Sequence, residues 1–211
     1  MKERIVGKLF IGVDPPWGRE GWGAVCFLNQ KKEVFKYLIE EKVEDLVNFI
    51  KKNLNVEDDF IIGVDAPLSL GEHTFRECEK MLRRKYKIPC FPSGKKQIIS
   101  KYGFSVGEYI SKELADYKDR IYEVYPYATW KILFGNVPSY KRKREEILRL
   151  KSLIEGRLGI KFGIIEYHIW KLPHLFDAVG AAYTVYLYSI GKAEMIGTKE
   201  DGFIIIPKKE E

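Results

Sequence analysis

Two segments of this chain, KLFIGVDPP (residues 8–16) and FIIGVDAP (residues 60–67), run an apolar stretch into an aspartate and stop it with proline. Apolar, β-branched runs favour buried strands, and proline, which lacks an N–H, cannot continue a ladder. Asp14 and Asp65 therefore end two core strands, where an inward-pointing, unpaired carboxylate is costly. We expect both strands to deliver a carboxylate to one shared metal site. The segments are not an internal repeat, because different structure follows each.

After the first segment, GWGAVCFL and KEVFKYLIE read as two further strands joined by the polar Asn29-Gln30-Lys31-Lys32, an antiparallel meander of three. Val43, Leu46, Val47 and Ile50 recur at helical spacing, giving a helix that closes near residues 53–55. A strand reached through a crossover helix usually returns parallel to a neighbour. Placed beside the first strand, it would set Asp65 next to Asp14 at the carboxyl edge, where ligands of open α/β sheets gather.

Downstream, Thr74 and Glu77 form a capping-box pattern for a helix to about residue 86, and PCFPSGKK reads as a loop. Ser105 and Glu108 form a second capping box, and RIYEVYP a fifth strand ended by Pro126. A helix over 143–158 stops at Gly159, and Pro173 opens the last long helix. AEMIG and GFIIIP, across a turn with Asp201-Gly202, form a terminal hairpin. The expected fold is α/β: a mixed five-stranded central sheet, with the meander and two parallel strands, flanked by helices and followed by a hairpin. With 211 residues and no linker or composition break, residues 1–211 read as one domain.

Four acids stand out by placement: Asp14 and Asp65 at strand ends, Glu123 inside the fifth strand and Asp177 early in the last helix. Alone, Glu123 could pair with an arginine, and Asp177 could favour a helix N-terminus. Gly180, Ala181 and Thr184 share Asp177's face, so that face is small enough to lie close to a sheet. Converging carboxylates repel, and an all-oxygen set suits Mg²⁺ or Mn²⁺. Two such ions about 4 Å apart can activate water and stabilise the leaving oxygen of a phosphodiester. His73, His168 and His174 show no paired metal-ligand spacing and read as structural or surface residues. Ser69 lacks a nucleophile elbow, and no glycine-rich phosphate loop is present.

The order strand-Asp, meander, helix, strand-Asp, strand-Glu, helix-Asp resembles the ribonuclease H-like fold. More specifically, GVDPPWGREGWGAV, GVDAPLSL, FRECEKMLRR, CFPSG, YEVYPYATW, LFDAVGAAY and GTKEDGFIIIP resemble a widespread family of predicted nucleases with that fold. The resemblance covers nearly the whole chain and implies Asp14, Asp65, Glu123 and Asp177 as the catalytic, metal-holding acids. It draws attention to Arg76 and Glu79 beside the FPSG loop, Arg76 either gripping a phosphate through its fork or neutralising the acids. Pro15-Pro16-Trp17 departs from the looser glycine-containing turn of many relatives.

The net charge of +6 permits a polyanionic partner. Positive charge clusters at Arg83-Arg84-Lys85 with Lys87, at Lys95-Lys96 and at Lys141-Arg142-Lys143-Arg144, with solvated helix faces and loop tips as the plainer explanation. Arg76, Lys95, Lys96 and Arg142 are the expected substrate-binding residues. No apolar run approaches the roughly 18–20 residues that span a bilayer, MKERIVGK lacks a leader profile, and three scattered cysteines suit reduced thiols, together reading as cytoplasmic. The expected activity is metal-dependent hydrolysis of nucleic acid. The alternatives are a non-catalytic nucleic-acid-binding or scaffold protein of this fold, or an ATPase or kinase of the actin and sugar-kinase type. The last is disfavoured by one domain's length of chain and the missing phosphate loop.

Overall fold

The computed structural model describes residues 7–18, 21–55 and 57–209. The leader-free reading of the N-terminus rests largely on residues outside these, as does Arg19-Glu20 of the first resembling segment. Strands β1 (Leu9–Asp14), β2 (Gly23–Asn29) and β3 (Glu33–Glu40) form the antiparallel meander. Helix α1 (Val43–Asn53) crosses to β4 (Phe60–Val64), which pairs parallel with β1 from Leu9↔Phe60 to Val13↔Val64. The Asp65 N–H continues that ladder by donating to the Val13 carbonyl at 2.8 Å. Helices α2 (Glu77–Arg84), α3 (Lys95–Tyr102) and α4 (Val106–Glu113) lead to β5 (Ile121–Glu123), which is parallel to β4. Then follow α5 (Pro126–Phe134), α6 (Arg144–Leu158), β6 (Lys161–Phe162), α7 (Leu172–Ser189) and the hairpin β7 (Ala193–Thr198) and β8 (Gly202–Pro207).

The sheet runs β5-β4-β1-β2-β3-β6, so it has six strands rather than the expected five. The sixth, two residues long and parallel to β3, follows the left-handed turn at Gly159 and is too short to leave an alternating pattern. Two helices were also unforeseen. Proline, read as ending a strand at Pro126, opens α5, where its missing N–H costs nothing. Lys95 begins α3 inside what reads as a loop. The second helix starts at Glu77, where the Glu79 carboxylate accepts from the Arg76 backbone N–H, and is not capped by Thr74. Ser105 does cap α4, accepting from the Glu108 N–H.

Strand alternation sorts the two faces. Leu9, Ile11 and Val13 face α1 and α4 with Leu46, Ile50 and Ile110. Phe10 faces α7 with Phe176 and Ala178. Gly12 and Gly63 lie under α7: a Cβ on Gly12 would fall 1.7 Å from the Ala178 carbonyl oxygen, and one on Gly63 would fall 2.6 Å from that of Ala181. The small side chains that let α7 approach the sheet are thus Ala178, Ala181 and Ala182. Gly180 instead meets Trp130 and Pro126 of α5, and Thr184 hydrogen-bonds Thr129 there. The hairpin packs on α2 and α5 through Cys78, Leu82, Ala128, Ile196 and Ile204. Among the described residues no helix is long and apolar enough to cross a membrane.

Candidate metal centre

The two G-V-D sequences place each aspartate two residues beyond its glycine, hence on the same sheet face, the one covered by α7. Asp177, in the second turn of α7, is carried to those strand ends by the close packing over Gly12. Asp14, Asp65 and Asp177 each offer one carboxylate oxygen, and these atoms lie within 4.8 Å of one another. Asp14 and Asp177 are buried and Asp65 is half-buried.

Each acid has a different set of partners. His174, one turn before Asp177, places Nδ1 2.8 Å from Asp14 Oδ2. Tyr140 donates its hydroxyl to Asp177 Oδ1 at 2.6 Å. Lys141 Nζ stands 2.6 Å from Asp177 Oδ2 as an ion pair. The Asp65 carboxylate has no hydrogen bond among the described residues, and it borders the cleft directly.

The electrostatics follow from this crowding. Burial, then the Asp14 and Asp177 carboxylates, push Asp65 well above the usual carboxylate range. Burial also raises Asp14, partly offset by its His174 hydrogen bond. The Asp177 carboxylate holds the Lys141 ammonium protonated above its ordinary range. Burial, then Asp177, raises the Tyr140 hydroxyl so far that it remains a donor. Three acids against one lysine and one histidine leave room for added positive charge. Asp177 is 1% exposed and its Oδ2 already faces the Lys141 ammonium, so an oxygen-bound hard cation would share that carboxylate with the lysine or displace it.

Glu123 does not join the triad. It pairs in register with Val64, not with the glycine or aspartate positions of β4, so alternation sends it to the opposite face. There Arg76 grips it in a bidentate pair, with Nη1 donating to Oε2 at 2.9 Å and Nη2 to Oε1. The Leu68 N–H adds a bond at 3.0 Å. Burial raises the Glu123 carboxyl, and the Arg76 guanidinium opposes that rise.

Arg76 also donates through Nε to Glu79 at 3.0 Å and to Ser93 at 2.8 Å, and the Ser93 hydroxyl donates to Glu79. At 1% exposed, its fork is committed to Glu123 and Glu79 and does not present itself to a substrate phosphate. Of the two roles weighed for Arg76, neutralising an acid matches this geometry.

Asp65 and Asp177 line a cleft of about 1220 Å³ whose cations include Lys96, Lys101, Lys141 and Arg142. Lys95 is exposed but does not line it, and neither do Arg83, Arg84, Lys85 and Lys87. Two residues escaped the sequence. His174 lies three residues before Asp177 on one helix face, a spacing that would have found it had pairs with acids been sought. Tyr140 reaches Asp177 across 37 residues and leaves no local signal. A scan against models of known families, a search of curated proteins and a search of solved structures find no match to this chain.

Proposed function

We propose that this protein is a metal-dependent nuclease of ribonuclease H-like fold that hydrolyses phosphodiester bonds in nucleic acid. The reading rests on the triad: three carboxylates on two neighbouring strand ends and one helix, with one oxygen of each within 4.8 Å of the others. The antiparallel meander with β4 and β5 added in parallel supports the fold assignment, as does the family resemblance. Asp14, Asp65 and Asp177 would hold Mg²⁺ or Mn²⁺. The bound cation would supply Lewis acidity toward a phosphoryl oxygen and make water a stronger nucleophile.

The chain's own contribution is orientation and charge. His174 fixes Asp14 and Tyr140 fixes Asp177, so two ligands are aimed before a cation arrives. Arg142 and Lys96 face the same cleft and would bind flanking phosphates. Glu123, held by Arg76, braces the β4 and β5 ends rather than ligating.

The test is Mn²⁺ binding by calorimetry on wild type and Asp65→Asn, alongside cleavage of labelled DNA and RNA. Wild type should bind Mn²⁺ and cut only in its presence, and the variant should do neither. Wild type without Mn²⁺ binding overturns the proposal. The non-catalytic reading draws support from one observation: Lys141 already sets an ammonium against Asp177. Nucleic-acid binding with no Mn²⁺ uptake would select it.

A further inference from the structure

One wall of the cleft carries chemistry that the acids do not use. Phe91, between Pro89 and Pro92 at the cleft edge, is 77% exposed, a large cost for an aromatic ring left in water. Lys101 lies over it, Nζ 5.2 Å from the ring centroid, and also over Tyr102 at 5.0 Å. Tyr102 in turn meets Trp17 at 5.6 Å between centroids. Trp17, Tyr102, Lys101 and Phe91 line the same cleft as Asp65 and Asp177, so this aromatic and cationic wall shares a cavity with two acids of the triad. Lys96, Lys101 and Arg142 line the same cleft and make no ion pair among the described residues.

We propose that this cleft takes single-stranded nucleic acid, with bases stacked on Phe91 and the Trp17–Tyr102 pair and phosphates along Lys96, Lys101 and Arg142. This deepens the nuclease reading and takes from it only the direction of the strand toward the acids. Stacking requires open base faces. A duplex hides those faces within its own stack and shows only edges, whereas an unpaired strand offers one face per nucleotide. The cations supply the sequence-independent attraction, and the rings distinguish strand from duplex.

The test is fluorescence anisotropy in EDTA, with labelled oligothymidine of about 20 nucleotides, longer than one site of ~4–16 nucleotides. A blunt duplex of the same length is the comparison. Wild type should bind the single strand more tightly than the duplex at equal salt. Phe91→Ala should weaken single-strand binding by about 5- to 150-fold, and Phe91→Trp should retain it. Lys101→Ala should flatten the dependence of log affinity on log salt by about 0.7, the slope of one single-strand phosphate contact. Phe91 and Lys101 are exposed, so the variants should melt with wild type, which circular dichroism checks.

Equal or tighter duplex binding, or Phe91→Ala binding unchanged, overturns the proposal. Thymidine monophosphate competing as well as the oligonucleotide also overturns it, because the cleft would then read one nucleotide and not a strand. None of these arms contains a divalent cation. Failure here therefore leaves the metal reading standing, and failure to bind Mn²⁺ leaves this result standing.

Discussion

Gly12 of β1 and Ala178 of α7 sit so close that any side chain on Gly12 would occupy the place of the Ala178 carbonyl oxygen. The contact is with backbone, which cannot swing aside, and it sets how near Asp177 comes to Asp14. Gly12→Ala should therefore destabilise the fold by about 3 kcal/mol or more, the upper range for overpacking. Gly156→Ala, on the exposed face of α6 with open space around it, should stabilise by about 0.5–1 kcal/mol. Urea denaturation of the two variants checks both signs.

Asp65→Asn removes one of three repelling carboxylates without removing a hydrogen bond among the described residues. In EDTA it should melt above wild type, by about 2–4 °C for each kcal/mol of repulsion relieved. Adding Mn²⁺ should reverse the order. At about 100 times its Kd the cation would stabilise wild type by about 2.7 kcal/mol and leave the variant unmoved. A variant that melts lower than wild type in EDTA would mean that Asp65 is a structural acid.

The pH dependence of metal-free stability follows from the same crowding. Asp65 and Asp14 hold their protons in the folded state above the ordinary carboxylate value of 3.8, so the native state binds more protons than the unfolded chain. Stability from these groups is present below that value and falls as pH rises through the raised range. Thermal melts in EDTA across acidic to neutral pH should show that decline against other carboxylates' trends. Asp65→Asn should show less of it.

Arg76 is expected to act on stability before it acts on any substrate. Arg76→Met strands the buried carboxylates Glu123 and Glu79 and should cost about 3–5 kcal/mol. Arg76→Lys should recover little, because one ammonium cannot replace a fork bonded to Glu123, Glu79 and Ser93. The double variant Arg76→Met with Glu123→Gln should regain part of the loss, measured by chemical denaturation as a coupling energy. Full stability in Arg76→Met would show that the pair is not structural.

What was legible in the chain came from short-range regularities. The runs 9–14 and 60–64 announced their strands, and the crossover helix announced that they lie parallel. The spacing G-V-D set each aspartate on the face of its own glycine, because side chains alternate along a strand, and the register Gly12↔Gly63 made those faces one. Asp177 was approachable from its small-sided helix, although the residues that make the contact, Ala178, Ala181 and Ala182, were only partly those expected.

Everything that depended on register or on distant segments meeting across space was decided by tertiary structure. Glu123 left the acidic cluster because β5 pairs it with Val64, and a shift of one residue exchanges the faces of a strand. Composition and periodicity carry no information about that pairing. The Arg76 partnership, the hydroxyl of Tyr140 on Asp177 and the ammonium of Lys141 likewise come from loops and caps far apart in sequence. Local pattern determines which residues face a core. Only the packing of one element against another determines which polar groups that core brings into contact.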